Sequence, residues 1–234
     1  MPKIALPKTA LIVGAGNGLS ASIARLFAQS GLKIALAARS IEKLTQLSSE
    51  IGAVSFAADA TKPEEVNQLF SDVENQLGTP TVVVYNPSFR VRGPLIELDP
   101  REVAKTLEVT AYGGFIVAQA AAKRMLQQGG GAIFFTGASA SIKGYPQSAP
   151  FAMGKFALRG LAQSIARELA PKNIHVAHFV IDGVIRAAER QDPTDNPDST
   201  LDPDAIAQTY LSILNQPRSA WTWEVELRPW VERF

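Results

Sequence analysis

Thr9-Ala-Leu-Ile-Val13-Gly14-Ala-Gly16-Asn17-Gly18-Leu19-Ser20 is the stretch on which the reading of the fold turns. Its first five residues form an apolar run of strand length, three glycines follow at alternate positions, and a segment of helical period opens at Leu19. Glycine tolerates φ > 0 and lets a ligand come close to the backbone. A helix N-terminus adds unpaired N–H groups and a partial positive charge, which suits a pyrophosphate. A strand, a glycine turn and a helix in this order are either a phosphate cradle for a dinucleotide or only a tight turn. Gly14, Gly16, Asn17, Gly18 and Leu19 are the candidate cofactor contacts.

Outward from this turn, short apolar runs alternate with segments of helical period. A helix is expected over Leu19–Ser30, a strand over Lys33–Ala38, a helix over Ile41–Ile51, a strand over Val54–Ala57, a helix over Pro63–Leu77 and a strand over Val82–Tyr85. Two long helices, near Val103–Gln127 and Phe151–Ala170, flank a strand at Ala132–Phe135; His175–Ile181 is a sixth strand, and Trp221–Trp230 alternates as a last one. This pattern predicts an α/β fold: a single doubly wound, Rossmann-type parallel sheet with helices on both faces, forming one domain over residues 1–234. Ala187–Pro203 interrupts it with three prolines and four aspartates and reads as a mobile loop.

Composition narrows the partners. A net charge of +1 without a basic run argues against nucleic acid. No apolar stretch reaches the roughly 20 residues of a membrane span, and the ending Glu232-Arg233-Phe234 matches no sorting signal. The chain has no cysteine, so thiolate metal sites are excluded, and a cytoplasmic location is the simplest expectation. No metal site is expected. His175 and His178 stand three apart on one strand, so they face opposite ways and cannot share a ligand.

The second strand ends in Arg39-Ser40, where a carboxylate would accept from a free ribose 2′-hydroxyl. Arg39 instead offers a fork of donors suited to a 2′-phosphate, with Ser40 and Asn17 as neutral donors, which points to NADP(H). The alternative is a surface arginine opening the next helix. Asp59, closing the third strand, can cap the helix that begins near Lys62.

The Gly-x-x-x-Gly spacing of Gly14 and Gly18, with Ser20 where a third glycine is usual, resembles the short-chain dehydrogenases/reductases, and the resemblance covers nearly the whole chain. In that family a tyrosine transfers a proton to or from the substrate oxygen. A lysine four residues on binds nicotinamide ribose and lowers the tyrosine pKa, while a serine orients substrate and an asparagine relays protons. Here Lys155 is retained but Phe151 stands at the tyrosine position, Ala138 at the serine position with Ser139 one residue later, and Thr110 at the asparagine position. The Asn-Asn-Ala-Gly motif appears as Tyr85-Asn86-Pro87-Ser88, the Pro-Gly as Asp182-Gly183, and the nicotinamide-side threonine falls at Ala187. The resemblance implies a cofactor site including Asn86, Lys155 and Gly183, with Asp59 beside the adenine, a catalytic pair of Lys155 and Ser139, and a substrate loop at 187–203. It also implies a homodimer or homotetramer paired through the two long helices.

Two functions follow from this pattern. One is an NADP(H)-dependent oxidoreductase of a small substrate, with an altered proton path through Ser139, Tyr145, Tyr112, Lys155 or water. The other is a catalytically silent NADP(H)-binding sensor or interaction protein. A structural domain without ligand is a third reading, and Lys155 would then be an exposed helix residue.

Overall fold

The computed structural model describes residues 9–187 and 190–232. The first eight residues, Ala188 and Glu189 of the expected loop, and Arg233 and Phe234 of the ending lie outside the described residues.

Seven parallel strands form one sheet in the order β3-β2-β1-β4-β5-β6-β7. They are β1 (Thr9–Val13), β2 (Lys33–Ala38), β3 (Val54–Ala57), β4 (Val82–Tyr85), β5 (Gly131–Thr136), β6 (Ile174–Ile181) and β7 (Glu224–Leu227). β1 and β4 are neighbours with Val13 opposite Tyr85, yet the chain leaves them toward opposite edges of the sheet. Such a switch point opens a crevice at the carboxyl ends of the strands.

Alternating side chains divide each strand between two cores. Ala10 and Ile12 of β1, with Phe134 and Phe179, meet α1 (Leu19–Gln29), α2 (Thr45–Ile51) and α7 (Pro203–Leu214). Leu11 and Val13, with Phe56 and Phe135, meet α3 (Pro63–Leu77), α5 (Gly113–Gln128) and α6 (Ala149–Leu169). Strands buried on both faces carry near-continuous apolar runs, which is why these segments read as strands.

Three features depart from the sequence expectation. The long helix near Val103–Gln127 is three pieces: α4 (Pro100–Leu107), a π-helical turn at Glu108–Tyr112, and α5. The turn brings the Val109 carbonyl to the hydroxyl of buried Tyr85, which donates to it at 2.5 Å. Gly113 is required there, since a Cβ would fall 2.5 Å from the same hydroxyl oxygen. Second, helix α7 follows the expected loop. Its signals were Asp202, whose side chain accepts from the Asp204 N–H, Pro203 in the first turn, and Ile206, Tyr210 and Ile213 on one buried face. Third, the loop read as mobile is fastened in its described part. Arg186 donates to the Asp192 carboxylate at 2.7 Å, and Asp192 accepts from the Thr200 N–H at 2.8 Å.

The two histidines do face opposite ways. His175 stacks on Trp221 with ring centroids 4.6 Å apart, and His178 reaches Glu224 of β7 at 3.0 Å. Glu224 also accepts both branches of the Arg159 fork from α6 at 2.7 Å. Burial holds the His178 imidazole down to about 4, outweighing the pull of Glu224. A depressed histidine stabilises the fold fully above its unfolded pKa and loses that contribution as pH falls toward the folded one. Thermal unfolding should therefore show this residue withdrawing ~3 kcal/mol between pH 6.5 and about 4. His178→Gln should flatten the melting temperature across that window, and a wild-type profile already flat there would contradict the assignment.

Candidate active site

The crevice between β1 and β4 is built by backbone contacts around Gly14. The Gly14 and Ala15 N–H groups donate to the Ala37 carbonyl at 2.9 and 3.0 Å, drawing the turn over β2. Ser20 Oγ donates to the Gly14 carbonyl at 3.0 Å, and Asn86 Nδ2 donates to Ser20 Oγ at 2.7 Å. The Asn86 N–H donates to the Val13 carbonyl at 3.0 Å. The loop after β4 is thereby fastened to the loop after β1.

The glycines of the turn have different reasons to be there. Gly14 has φ +78°, and a Cβ on it would lie 2.6 Å from the Pro87 nitrogen. At Gly18, as at Gly16, a Cβ would meet no atom within 4 Å. Gly16 has neither reason: its φ lies outside the left-handed range, and a Cβ would meet no atom within 4 Å. Leu19 packs its side chain into the core, so only its backbone faces the turn. Helix α1 starts there with no side-chain cap and no acidic residue in its first turn.

A groove of about 350 Å³ lies over these elements, lined by Gly14, Gly16, Arg39, Lys43, Asp59 and Asn86 among others. Five sequence candidates thus meet in one place, while Asn17, Gly18, Leu19, Ser40, Ser139, Lys155 and Gly183 do not line it. Arg39 is exposed at the end of β2 and makes no ion pair among the described residues. Lys43, in the short 3₁₀ turn Glu42–Leu44, also lines the groove and was missed in the sequence; a second cation close behind Arg39 in the chain was the available signal. Ser40, expected as a neutral donor, gives its hydroxyl to Glu42 at 2.6 Å. Asp59 accepts from the Thr61 N–H and hydroxyl at 2.9 and 2.8 Å, so it organises the turn ahead of α3. Partial burial opposes its charge, but those bonds, with Arg39 and Lys62 nearby, hold the carboxyl below its usual range.

The other end of the crevice is formed by α6 and the ends of β5 and β6. Lys155 is 3% exposed, not a surface lysine, and its ammonium donates to the Thr136 carbonyl at 2.7 Å. Burial without a carboxylate partner pushes its pKa down to about 8. Half-buried Phe151 precedes it by one turn, with Lys155 Nζ 5.8 Å from the ring centroid. Thr110 is buried in the π turn with a hydroxyl that has no partner, packed so closely on Gly154 that a Cβ there would come within 3.0 Å. Ser139 is half-buried in a short 3₁₀ turn after β5. Asp182 is buried where β6 ends, held by Lys143 at 3.1 Å and Arg228 at 3.3 Å. Gly183, at φ +152°, packs against Pro229 and Leu201.

The short chain dehydrogenase family matches residues 8–196 of this chain. An uncharacterized oxidoreductase of Staphylococcus aureus is 28% identical over 228 residues, which cover 95% of this chain and 97% of the relative. A short-chain dehydrogenase from Rhodopseudomonas palustris has a solved structure that is 36% identical, with a TM-score of 0.82 over 95% of this chain and 99% of that one. An alcohol dehydrogenase from the archaeon Thermococcus sibiricus, complexed with 5-hydroxy-NADP, is 27% identical with a TM-score of 0.85, over 97% and 98% of the two chains.

The contrast between the glycines can be measured on the protein without ligand. Gly14→Ala should cost ~2 kcal/mol or more in denaturant unfolding, from the left-handed φ and the collision with Pro87. Gly16→Ala should stay within ~0.5 kcal/mol of wild type. Equal losses at both positions would refute the different origins assigned to them.

Proposed function

Because this chain belongs to the short-chain dehydrogenase family of oxidoreductases, we propose that it is an NADP(H)-dependent member acting on a small substrate with an altered proton path. Arg39 carries the cofactor reading: an exposed fork at the end of β2, without an ion pair among the described residues, in a groove that Lys43 also lines. Two cations suit a 2′-phosphate, and a guanidinium matches its oxygens with paired donors. Gly16 supports the same reading, since its missing side chain answers to nothing in the protein and leaves room for a diphosphate at the open N-terminus of α1. The similar archaeal alcohol dehydrogenase, complexed with 5-hydroxy-NADP, favours it as well.

When bound, the dinucleotide supplies or accepts hydride. The chain must then move a proton to or from the substrate oxygen, and the phenyl ring of Phe151 has none to exchange. A positioned general acid contributes ~10²–10⁴-fold, about 3–5 kcal/mol of barrier. Of the proton-bearing groups at this end, Lys155 has a pKa pushed down to about 8, suited to exchange near neutrality, and Ser139 lies on the adjoining turn. Lys155 also holds a positive charge beneath the site, where it would meet ribose hydroxyls. A cytoplasmic homodimer or homotetramer belongs to the same reading. Exposed Tyr112, Phe115, Met153 and Phe156, on the π turn, α5 and α6, are the surface that favours pairing.

Titration with both cofactors tests the first half. NADPH should bind at least ~10 times more tightly than NADH, modest for one charge-assisted contact. Arg39→Ala should remove most of that preference, and Gly16→Ala should weaken both cofactors. Equal wild-type affinities, or a preference that survives Arg39→Ala, would overturn the NADP(H) assignment.

The proton path is tested at Phe151. Wild-type protein should reduce simple ketones poorly. Phe151→Tyr should raise that rate, by less than the full ~10²–10⁴-fold, because Ala138 and Thr110 still lack the family's orienting groups. Brisk reduction of simple ketones by the wild type would sink this account. Cofactor binding without turnover of any substrate, in both forms, would favour the silent binder.

A further inference from the structure

Phe151 has two cations near its ring. Lys155 stands 5.8 Å from its centroid, and the Arg90 guanidinium lies over the ring at 4.8 Å. Arg90 comes from the loop after β4, which is tied to the segment ahead of α6 by a bond from the Gly93 N–H to the Gln147 carbonyl at 3.1 Å. Its position over the ring is therefore supported by backbone as well as by the π face. The ring attracts the charge of the guanidinium but does not use up its N–H donors. No carboxylate meets Arg90 or Arg92 among the described residues. Partial burial, and after it the like charge of Arg92, lower the Arg90 pKa. The Phe151 end of the crevice thus carries positive charge that the described residues leave unmatched.

We propose that Arg90 binds a carboxylate of the substrate over the Phe151 ring, so that the enzyme acts on small keto acids or their hydroxy acids. The proposal rests on the reading above that Phe151 marks the reacting end of the site. A planar fork of donors matches a carboxylate two bonds at a time, which a lysine cannot do. The carboxylate takes no part in bond making. It fixes the carbonyl within a few bond lengths of the ring, so the class is restricted to compact acids.

The test uses two matched pairs, phenylglyoxylate and 4-oxopentanoate, each against its methyl ester. Each is titrated calorimetrically into the protein with and without NADPH. At least one acid should bind ~10-fold or more tighter than its ester, and Arg90→Gln should reduce that ratio to below about 3. Arg90→Lys should fall between, keeping the charge without the fork. NADPH affinity and melting temperature should not change in these variants. No preference for either acid, including no detectable binding of either, overturns the proposal, as does a preference that survives Arg90→Gln. Failure of NADPH to bind would instead refute the cofactor reading, and the titrations without NADPH would still decide the role of Arg90.

Discussion

The ends of β1 and β4 leave the sheet in opposite directions, and a short run of hydrogen bonds holds their loops together. Asn86 donates from its backbone to Val13 and from its side chain to Ser20, and Ser20 donates to Gly14. Pro87 sits where a side chain on Gly14 would be. Everything else about the crevice depends on this fastening. It sets the mouth of the groove, the direction in which α1 presents its N–H groups, and the starting point of the loop that carries Arg90. Neither loop could drift without breaking a bond to the other, so the cradle is prepared before any ligand arrives. Preparation of this kind spares a ligand the ordering cost of shaping its own site.

The opposite end of the site is prepared electrostatically. Lys155 is buried with one carbonyl and no carboxylate, an arrangement that costs stability and is therefore informative. The same helix carries Arg159 one turn further on, clamped to Glu224. Helix α6 is thus tied to β5 through Lys155 and to β7 through Arg159, and Phe151 takes its position from both ties.

What the sequence disclosed and what it withheld separate along a physical line. The strands were legible because a parallel sheet buried on both faces demands apolar runs, and the cradle because glycine has so few substitutes at Gly14. The π turn was not legible, since its extra residue is stabilised by Tyr85 from a distant strand rather than by local sequence. The same holds for the partnership of His178 with Glu224, 46 residues away. Helix α7 was missed for a different reason. Its cap and periodicity are present in the sequence, but they continue directly from an acidic, proline-rich loop, with Asp202 and Pro203 common to both. The burial of Lys155 was also beyond reach, because helical spacing gives the face of a residue and not the depth to which its side chain reaches.

The order of elements along the chain has a consequence for how the protein is made. Ile23 and Phe27 of α1 share one core with Ile206 and Tyr210 of α7. Helix α1 is therefore covered by a helix that leaves the ribosome much later. Until residues 203–214 have emerged, one face of the growing sheet lacks part of its cover. Chain synthesis proceeds at roughly 5–20 residues per second, so that face would stay open for about ten seconds or more. Shielding during this interval, by a chaperone or by a second nascent copy, would guard that apolar surface against aggregation.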